Sequence, residues 1–492
     1  MSHSQSSPEG AQQPALAYEA GTLLEPLTVT DLTVDGGAVA RHQGHVVFLD
    51  AGLPGEVLSA RVVKRTRRVV HAQRERSLHP SPHAVDPWCP HAADCGACSW
   101  QHLSPEAALA WKQKHVRETL ARIGKVVEPD VSPLVPSPRD RGYRNKMSFA
   151  FAPGETPDRK TLLGLRRFRE QSVVEVTDCG LQTPEVMRML AGARQLVNKL
   201  GLEAWQGRGA GYLRFLVVHM PMFEPMGKKQ IVVECITGDD HRRIGAVRED
   251  GRGDGDKKPL SNADKVRELG QALMKDFGLT GFVHSERRHP ADLAQGERRV
   301  FLAGSGKYQE RFGHLVLTVP HNAFLQTNTD LAALLYAGVA EEAGLTGREV
   351  LWDLYSGVGG MALYLAERVK EAHGFEIQAE AVAAARKNSE RLGHAHCHFH
   401  HGALSPSLLA AVPRPDVIIA DPPRAGIDEP VLKLLLTTPA RRLVYVSCDP
   451  GTQARDIARL APAWKVLRGR PYDMFPYTPH VETLVILDRI TG

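Results

Sequence analysis

The spacing of hydrophobic and polar residues divides the chain into three blocks, and the first, from about residue 21 to 78, is a series of short strands. The apolar runs are interrupted by turns at Gly36–Gly37 and Gly52–Gly55. Short strands with glycine and proline turns favour a small barrel of the OB type. Such barrels often carry RNA on a basic face, and an SH3-like barrel used only for packing is the alternative. The predicted strands are Leu27–Val29, Val46–Leu49, Val57–Val63 and Val69–Ala72.

The second block, from about residue 79 to 325, mixes a helix with strand-like segments and predicts a central α+β domain. The helix is expected from Pro105 to Ile123, after a cluster of cysteines. The stretch from Gly238 to Asn262 is rich in glycine and charge, which is typical of a mobile surface insertion. The predicted strands are Lys146–Phe151, Leu213–His219 and Gln230–Cys235.

The third block, from about residue 326 to 492, alternates strands and helices and predicts a doubly wound α/β sheet. A glycine-rich turn at Ser356–Gly360 lets a ligand approach the backbone, and Glu376 ends the following strand, where an acid can bind ribose hydroxyls. The turn alone would equally suit NAD. The predicted elements are a strand at Val350–Tyr355, a helix at Met361–Val369, a strand at Ala372–Glu376 and a helix at Ala379–Leu392.

Length and composition fit a globular protein of several domains. The 492 residues correspond to about three domains, and a 42% hydrophobic content suffices for a sizeable core. No apolar stretch approaches the ~20 residues that a membrane-spanning helix needs. The polar N-terminus lacks a secretory signal. We therefore expect a cytoplasmic protein with a disordered tail over residues 1–20.

Positive charge is concentrated in two segments, although the net charge is only +5. Such clusters are an electrostatic footprint for the phosphate backbone of nucleic acids, and a solvated basic face is the alternative. The first cluster comprises Arg61, Lys64, Arg65, Arg67, Arg68, Arg74 and Arg76. The second comprises Arg139, Arg141, Arg144, Lys146, Arg159, Lys160, Arg166, Arg167 and Arg169.

Four of the seven cysteines have the spacing of a metal site. Cys89, Cys95 and Cys98 form C-x5-C-x2-C, and Cys179 follows far downstream. In a cytosolic protein such a set favours metal binding over a disulfide framework. Three clustered thiolates and one distant thiolate can hold an iron–sulfur cluster or zinc. The spacing favours iron–sulfur and leaves zinc open.

A thiol and two carboxylates lie near the ends of predicted strands in the third block. Cys448 lies in the segment SCDP, Asp421 opens the turn DPPR, and Glu482 ends the segment PHVE. This combination indicates a covalent nucleophile with a proton acceptor beside it. The chemistry suits a pyrimidine ring, whose C5 carbon becomes nucleophilic only after a thiol adds to C6. The DPP turn and the glycine-rich turn together favour S-adenosylmethionine over NAD.

Together these motifs resemble those of the RNA uracil-5-methyltransferases, specifically the 23S rRNA branch with a TRAM barrel and a [4Fe-4S] cluster. The resemblance covers nearly the whole chain after residue 20. Three departures, Ser356 for Cys, Asp449 for Asn and Thr327 for Val, remove no reacting group. The matching motifs are C-x5-C-G-x-C with Cys179, FLQTN at 324–328, DLYSGVG at 353–359, DPPRAG at 421–426, SCDP at 447–450 and DMFPYTPHVE at 473–482.

The resemblance implies S-adenosylmethionine-dependent methylation of uracil C5 in 23S rRNA by a monomeric, Rossmann-like class I methyltransferase. Cys448 would add to C6 of a uridine turned out of its stack, and Glu482 would remove the C5 proton after methylation. The implied cofactor-binding residues are Gln326, Tyr355, Glu376 and Asp421. The implied cluster ligands are Cys89, Cys95, Cys98 and Cys179. The implied domains are the TRAM barrel at 21–78, the iron–sulfur domain at 79–325 and the methyltransferase domain at 326–492.

Other functions remain to be weighed against this hypothesis. The same chemistry on tRNA is one, although bacterial tRNA enzymes of the family lack the barrel and the cysteine set. A non-catalytic iron–sulfur RNA-binding protein is another, and the presence of Cys448 and Glu482 argues against it. Cytosine-5 methylation would require a cysteine in the DPP turn. The histidines within His394–His401 could hold a metal, but a solvated strand edge is favoured.

Overall fold

The computed structural model describes residues 18–66, 69–156, 159–207, 210–239 and 260–490. Several sequence predictions fall partly outside these ranges: the tail over 1–20, Arg67 and Arg68, the side chain of Arg159, and the insertion between Gly238 and Asn262. Contacts divide the chain into two units. The smaller comprises the residues up to Asp86 and Trp100–Ala108; the larger comprises Pro87–Ser99 and the residues from Leu109 onward.

The smaller unit contains a closed β-barrel, as the first block predicts. Its strands are β1 (Leu23–Leu32), β2 (Ala38–His42), β3 (His45–Leu49), β4 (Val57–Arg65) and β5 (Val69–His79). They close in the order β1-β2-β3-β5-β4, with β3 and β5 parallel. Side chains along a strand alternate between the inside and the outside of the barrel. In β1, Leu27 and Val29 are buried and Thr28 is exposed. Strand β2 is missing from the sequence prediction because its inward residues are alanines, which have weak strand preference.

The central part of the larger unit is a sheet covered on one face by two helices. Within the described residues its strand order is β12-β11-β10-β9-β6-β7-β8. Strands β9, β10 and β11 are buried along their whole length, and α2 and α3 contribute to the core beneath them. The elements are α1 (Pro105–Arg122), β6 (Lys146–Thr156), β7 (Arg159–Arg166), β8 (Val173–Val174), α2 (Pro184–Lys199), β9 (Leu213–His219), β10 (Val232–Thr237), α3 (Asn262–Phe277), β11 (Gly281–Glu286) and β12 (Arg298–Gly304).

The C-terminal part is a Rossmann-like α/β sheet preceded by a hairpin. The elements are β13 (Lys307–Phe312), β14 (Leu315–Pro320), α4 (Thr329–Glu342), β15 (Val350–Leu354), α5 (Gly360–Tyr364), β16 (Glu371–Glu376), α6 (Ala379–Leu392), β17 (Cys397–His401), α7 (Pro406–Ala410), β18 (Val417–Ala420), α8 (Glu429–Thr437), β19 (Arg442–Ser447), α9 (Pro450–Leu460), β20 (Trp464–Tyr472) and β21 (Glu482–Arg489). The described sheet has the order β17-β16-β15-β18-β19-β21-β20. Its first five strands are parallel, and β21 and β20 are antiparallel.

Two details of this sheet differ from or extend the sequence prediction. Helix α5 ends at Tyr364 and a 3-10 turn follows at Ala366–Arg368, so the helix predicted over Met361–Val369 is broken. Strand β17 lies at the edge of the sheet, as the histidine pattern suggests. There His398 Nε2 lies 3.4 Å from Glu371 Oε1, and His400 Nε2 lies 3.1 Å from His373 Nδ1.

The central and C-terminal parts both belong to the larger unit. Hydrogen bonds cross the predicted domain boundary at residue 325: the Asn145 amide N–H donates to the carbonyl of Thr327 over 2.9 Å, and Asn145 Nδ2 donates to the carbonyl of Gln326 over 2.9 Å. The boundary between these parts therefore stays a prediction. Within the described ranges, no helix has the length and apolarity needed to span a membrane.

Candidate active site

The predicted reactive residues meet at one edge of the C-terminal sheet. Parallel pairing aligns the ends of β15, β16, β18 and β19. Because parallel strands present their carboxyl ends at the same edge, Tyr355, Glu376, Asp421 and Cys448 are brought to one side of the sheet. The sequence predicted that each of these residues lies near a strand end. The pairing of the strands brings those ends next to one another.

The glycine-rich turn after β15 lies at this edge of the sheet. Asp353 Oδ2 accepts a hydrogen bond from the Ala362 N–H at the start of α5 over 3.0 Å. Glu376 Oε2 accepts from the Gly357 N–H over 3.0 Å. Gly359 has φ +83°, and a Cβ there would lie 2.7 Å from the Phe399 ring. The turn therefore needs glycine at position 359 for both its backbone angle and its space.

A cavity opens above the turn, with about 410 Å³ free of protein atoms and part of it open to solvent. Three of the four predicted cofactor-binding residues, Gln326, Tyr355 and Asp421, line it. The fourth, Glu376, is tied to its wall through Gly357. The side chain of Gln326 hydrogen-bonds Asp421. The cavity is thus lined by residues from the segment before α4 and by residues that follow β15 and β18.

The antiparallel pairing of β19 and β21 brings Cys448 close to Glu482. Ser447, the last residue of β19, pairs with Thr483, and Cys448 and Glu482 are the adjoining residues of the two segments. The Glu482 carboxyl group lies near enough to raise the pKa of Cys448. Glu482 is only 1% exposed, while Cys448 is half-buried. The thiol and the carboxylate predicted from the sequence are therefore neighbours.

Burial and mutual repulsion raise the pKa values of these groups. Burial raises the pKa of Cys448 to about 11; Glu482 and Asp421 add to the rise, and Arg424 opposes it. Burial also raises the pKa of Asp421 to about 7, against the hydrogen bond from Gln326. The pKa of Glu482 lies well above its ordinary value because the side chain is buried, with Asp421 adding and Arg424 opposing.

The loop that leads to Glu482 is held by residues that sequence reasoning did not single out as site residues. The buried Lys112 ammonium pairs with Asp473 and donates to the carbonyl of Phe475. The Arg144 guanidinium lies 5.5 Å from the centroid of the Phe475 ring. The motif at 473–482 and the basic cluster containing Arg144 were both visible in the sequence. Their contact across more than 300 positions was not.

The four predicted metal-binding cysteines lie in the larger unit. Cys95, Cys98 and Cys179 are buried and belong to one hydrophobic cluster, and Cys179 interacts electrostatically with Cys95 and Cys89. Among the described residues, no group of three or more His, Cys, Asp or Glu side chains has the geometry to hold a metal ion. The structure thus gathers the cysteines without forming a single-ion site.

The arrangement combines an acidic cavity with a thiol and a carboxyl group that lie close together. Asp353 and Asp421 line the cavity and Glu376 accepts a hydrogen bond from Gly357 of its wall, so a cationic ligand would be attracted to it. Burial raises the pKa of Asp353 to about 7, and a cation in the cavity would favour its ionised form. A ring held between this cavity and Cys448 would face a thiol on one side and the Glu482 carboxyl group nearby. Such a site can run covalent catalysis with proton removal.

Comparison with known proteins gives a consistent result. A family model described as tRNA (Uracil-5-)-methyltransferase matches residues 414–490. The chain is 41% identical to an uncharacterized RNA methyltransferase of Nitratidesulfovibrio vulgaris, over 94% of this chain and 95% of the relative. It is 31% identical to another from Halalkalibacterium halodurans, over 94% and 96%.

The fold is similar to a solved structure over nearly its whole length. That structure is the Pyrococcus abyssi tRNA (uracil-54, C5)-methyltransferase in complex with S-adenosyl-L-homocysteine. The TM-score is 0.68 and the identity 25%, covering 94% of this chain and 100% of that chain.

Proposed function

Since the chain belongs to the RNA (uracil-5-)-methyltransferase family, we propose that it methylates C5 of a uridine in 23S rRNA through a covalent bond from Cys448 to C6. S-adenosylmethionine supplies the methyl group when bound. The observation that carries the proposal is the proximity of Cys448 to Glu482 and Asp421, both of which raise the pKa of its thiol. Asp421 also lines the cavity, together with Gln326 and Tyr355.

The chemistry assigned to the protein residues balances as follows. The Cys448 thiolate forms a bond to C6, and the C5=C6 electron pair moves to make C5 nucleophilic. C5 would then take the methyl group that S-adenosylmethionine would supply when bound, with the neutral thioether S-adenosylhomocysteine as the leaving group. The Glu482 carboxylate removes the proton from C5. The released electron pair restores C5=C6 as the sulfur–C6 bond breaks, which returns the thiolate of Cys448.

Two groups near Cys448, Glu482 and Arg424, support these roles. Glu482 is buried and its Oε1 has no hydrogen-bond partner within the described chain, so it is available to a bound ring. Arg424 opposes the rise in the pKa of both Cys448 and Glu482. A cation in the cavity would act in the same direction as Arg424 and favour the thiolate. Cofactor binding would thereby activate the nucleophile.

Replacement of Cys448 by alanine tests the assignment. We expect the Cys448→Ala protein to bind RNA but to transfer no methyl group, and the adduct with 5-fluorouridine RNA to disappear. The control is Cys235→Ala, because Cys235 is a buried cysteine in β10 of the central sheet, outside the candidate site. Persistent methylation by the Cys448→Ala protein would refute the nucleophile assignment.

Ribosomal RNA is proposed as the substrate because the resemblance that includes the barrel and the cysteine set points to the 23S rRNA branch. Transfer RNA is the second candidate, favoured by the similarity to an enzyme whose name specifies tRNA. Mass mapping of 5-methyluridine in rRNA and tRNA from cells lacking the gene distinguishes them. Loss of the modification from tRNA alone would overturn the rRNA proposal.

We further propose that Cys89, Cys95, Cys98 and Cys179 hold a [4Fe-4S] cluster and that the barrel is a TRAM domain. A four-iron cluster binds each thiolate to a separate iron, so its ligands lie farther apart than those of one zinc ion. Cys179 interacts electrostatically with both Cys95 and Cys89, which supports a common site for the distant cysteine and the clustered ones. After anaerobic purification we expect about four irons per chain and their loss in Cys98→Ser but not in Cys235→Ala. Stoichiometric zinc without iron would contradict the assignment.

A further inference from the structure

A second cavity lies beside the cofactor cavity in the larger unit. Its walls come from β12, from the hairpin β13–β14 and from α6, and it leaves about 810 Å³ free of protein atoms, part of it open to solvent. Leu302, Pro320 and Ala384 contribute apolar surface. Arg299, Lys307 and Lys387 contribute positive charge, and we call the space between these three residues the basic cavity.

The three cations of the basic cavity are exposed and lack acidic partners. Within the described chain, none of them forms an ion pair with a carboxylate, whereas the adjacent Arg298 pairs with Glu286. The acid on the wall, Glu380, accepts a hydrogen bond from Asn322. Consecutive strand residues point to opposite faces, which explains why Arg298 and Arg299 differ. The cavity therefore has an excess of positive charge that the fold does not neutralise.

A short segment connects the basic cavity to the active site. His321 is buried in the wall, with Nδ1 3.1 Å from the carbonyl of Gly306. Phe324, three residues later, is 64% exposed and lines the cofactor cavity. Three residues span at most about 11 Å. A chain of nucleotides that presents one base at Phe324 thus has its neighbouring phosphates within reach of the basic cavity.

Charge explains why such a second site is needed. The cofactor cavity is acidic, with Asp353 and Asp421 among its lining residues, and it repels phosphate while it attracts a cation. An RNA strand that delivers its base to Cys448 must therefore hold its backbone outside that cavity. Lys and Arg side chains supply most of the binding free energy for a phosphate backbone.

We propose that the basic cavity binds a phosphodiester of the substrate RNA next to the extruded uridine. This inference rests on the proposed function for its RNA substrate, though not on which RNA is modified. Lys307 and Lys387 approach from the hairpin and the helix and Arg299 from the strand, so the phosphate is held from three sides. The contacts position the backbone and carry no base specificity.

The test is the salt dependence of RNA binding by Arg299→Gln/Lys307→Gln/Lys387→Gln. The probe is a fluorescein-labelled RNA stem-loop with uridines in its loop, followed by anisotropy from low to moderate salt. Because the three cations hold one phosphate, their removal lowers the slope of log K against log salt by about 0.7 on a single strand. At about 0.15 M salt the Kd rises on the order of fourfold. The control is Arg298→Gln, which should keep the wild-type slope.

Two further readouts separate this inference from the function itself. The triple variant should raise the KM for RNA while kcat at saturating RNA and the Kd for S-adenosylmethionine stay unchanged. A wild-type slope in the triple variant, or an equal loss in Arg298→Gln, overturns the inference. The wild-type protein could fail to methylate any uridine while the triple variant still shows weaker RNA binding and a smaller salt slope. That result would refute the proposed function but support RNA binding by the basic cavity.

Discussion

Cys448 should react slowly with thiol reagents in the cofactor-free protein, because burial and the acids around it raise its pKa to about 11. At pH 8 a thiol with that pKa is about one part in a thousand ionised, against about one quarter for an ordinary cysteine with a pKa near 8.5. The higher intrinsic nucleophilicity of the more basic thiolate recovers about tenfold. The net reaction should therefore be about twentyfold slower than that of the same cysteine in the unfolded chain.

The assay is timed reaction with methyl methanethiosulfonate, followed by mass spectrometry of the tryptic peptide from Leu443 to Arg455. The rate should increase about tenfold per pH unit and level off near pH 11. The reference is the same peptide labelled in urea. S-adenosylmethionine should accelerate labelling more than S-adenosylhomocysteine, since only the former carries the additional positive charge of a sulfonium.

Substitution of Arg424 tests the electrostatic part of this reasoning. Arg424 lowers the pKa of Cys448, so Arg424→Gln should slow labelling below pH 11. Arg459→Gln is the control, because Arg459 pairs with Glu429 on an exposed helix surface. A midpoint below pH 9, or labelling at pH 8 as fast as in urea, would refute the buried, acid-flanked environment assigned to Cys448.

Two other substitutions make independent predictions. Glu482→Gln should retain methyl transfer to C5 but trap the RNA on Cys448, slowing product release about 10²–10⁴-fold; a denaturing gel detects the adduct, and normal turnover would contradict the role as base. Lys112→Met should lower the free energy of unfolding of the larger unit by about 3–5 kcal/mol, because it leaves Asp473 buried without its cation. Urea denaturation measures this loss, and the double variant Lys112→Met/Asp473→Asn should recover part of it. An unchanged denaturation midpoint in Lys112→Met would show that the pair does not stabilise the fold.

The reactive residue types and the order of the C-terminal elements could be predicted from the sequence. Cys448, Asp421 and Glu482 stand in short, unusual motifs, and the alternation of strands and helices predicts a doubly wound sheet. The helix at Ala379–Leu392 has the predicted bounds, because an amphipathic pattern with a glycine stop is local information. The break after Tyr364 was missed, since the segment Gly360–Val369 is apolar enough for either a helix or a turn.

The sequence could therefore predict the nucleophile, the base and the strands near which they lie. It could not show that Glu482 lies near Cys448, because their proximity depends on antiparallel pairing of strands separated by a helix and a strand. It also could not show that Lys112 and Arg144 hold the loop before Glu482. Nor could it show that three cations, which form no ion pair among the described residues, line one cavity. Contacts of this kind arise when distant segments pack together, and burial then sets the pKa values on which the chemistry depends.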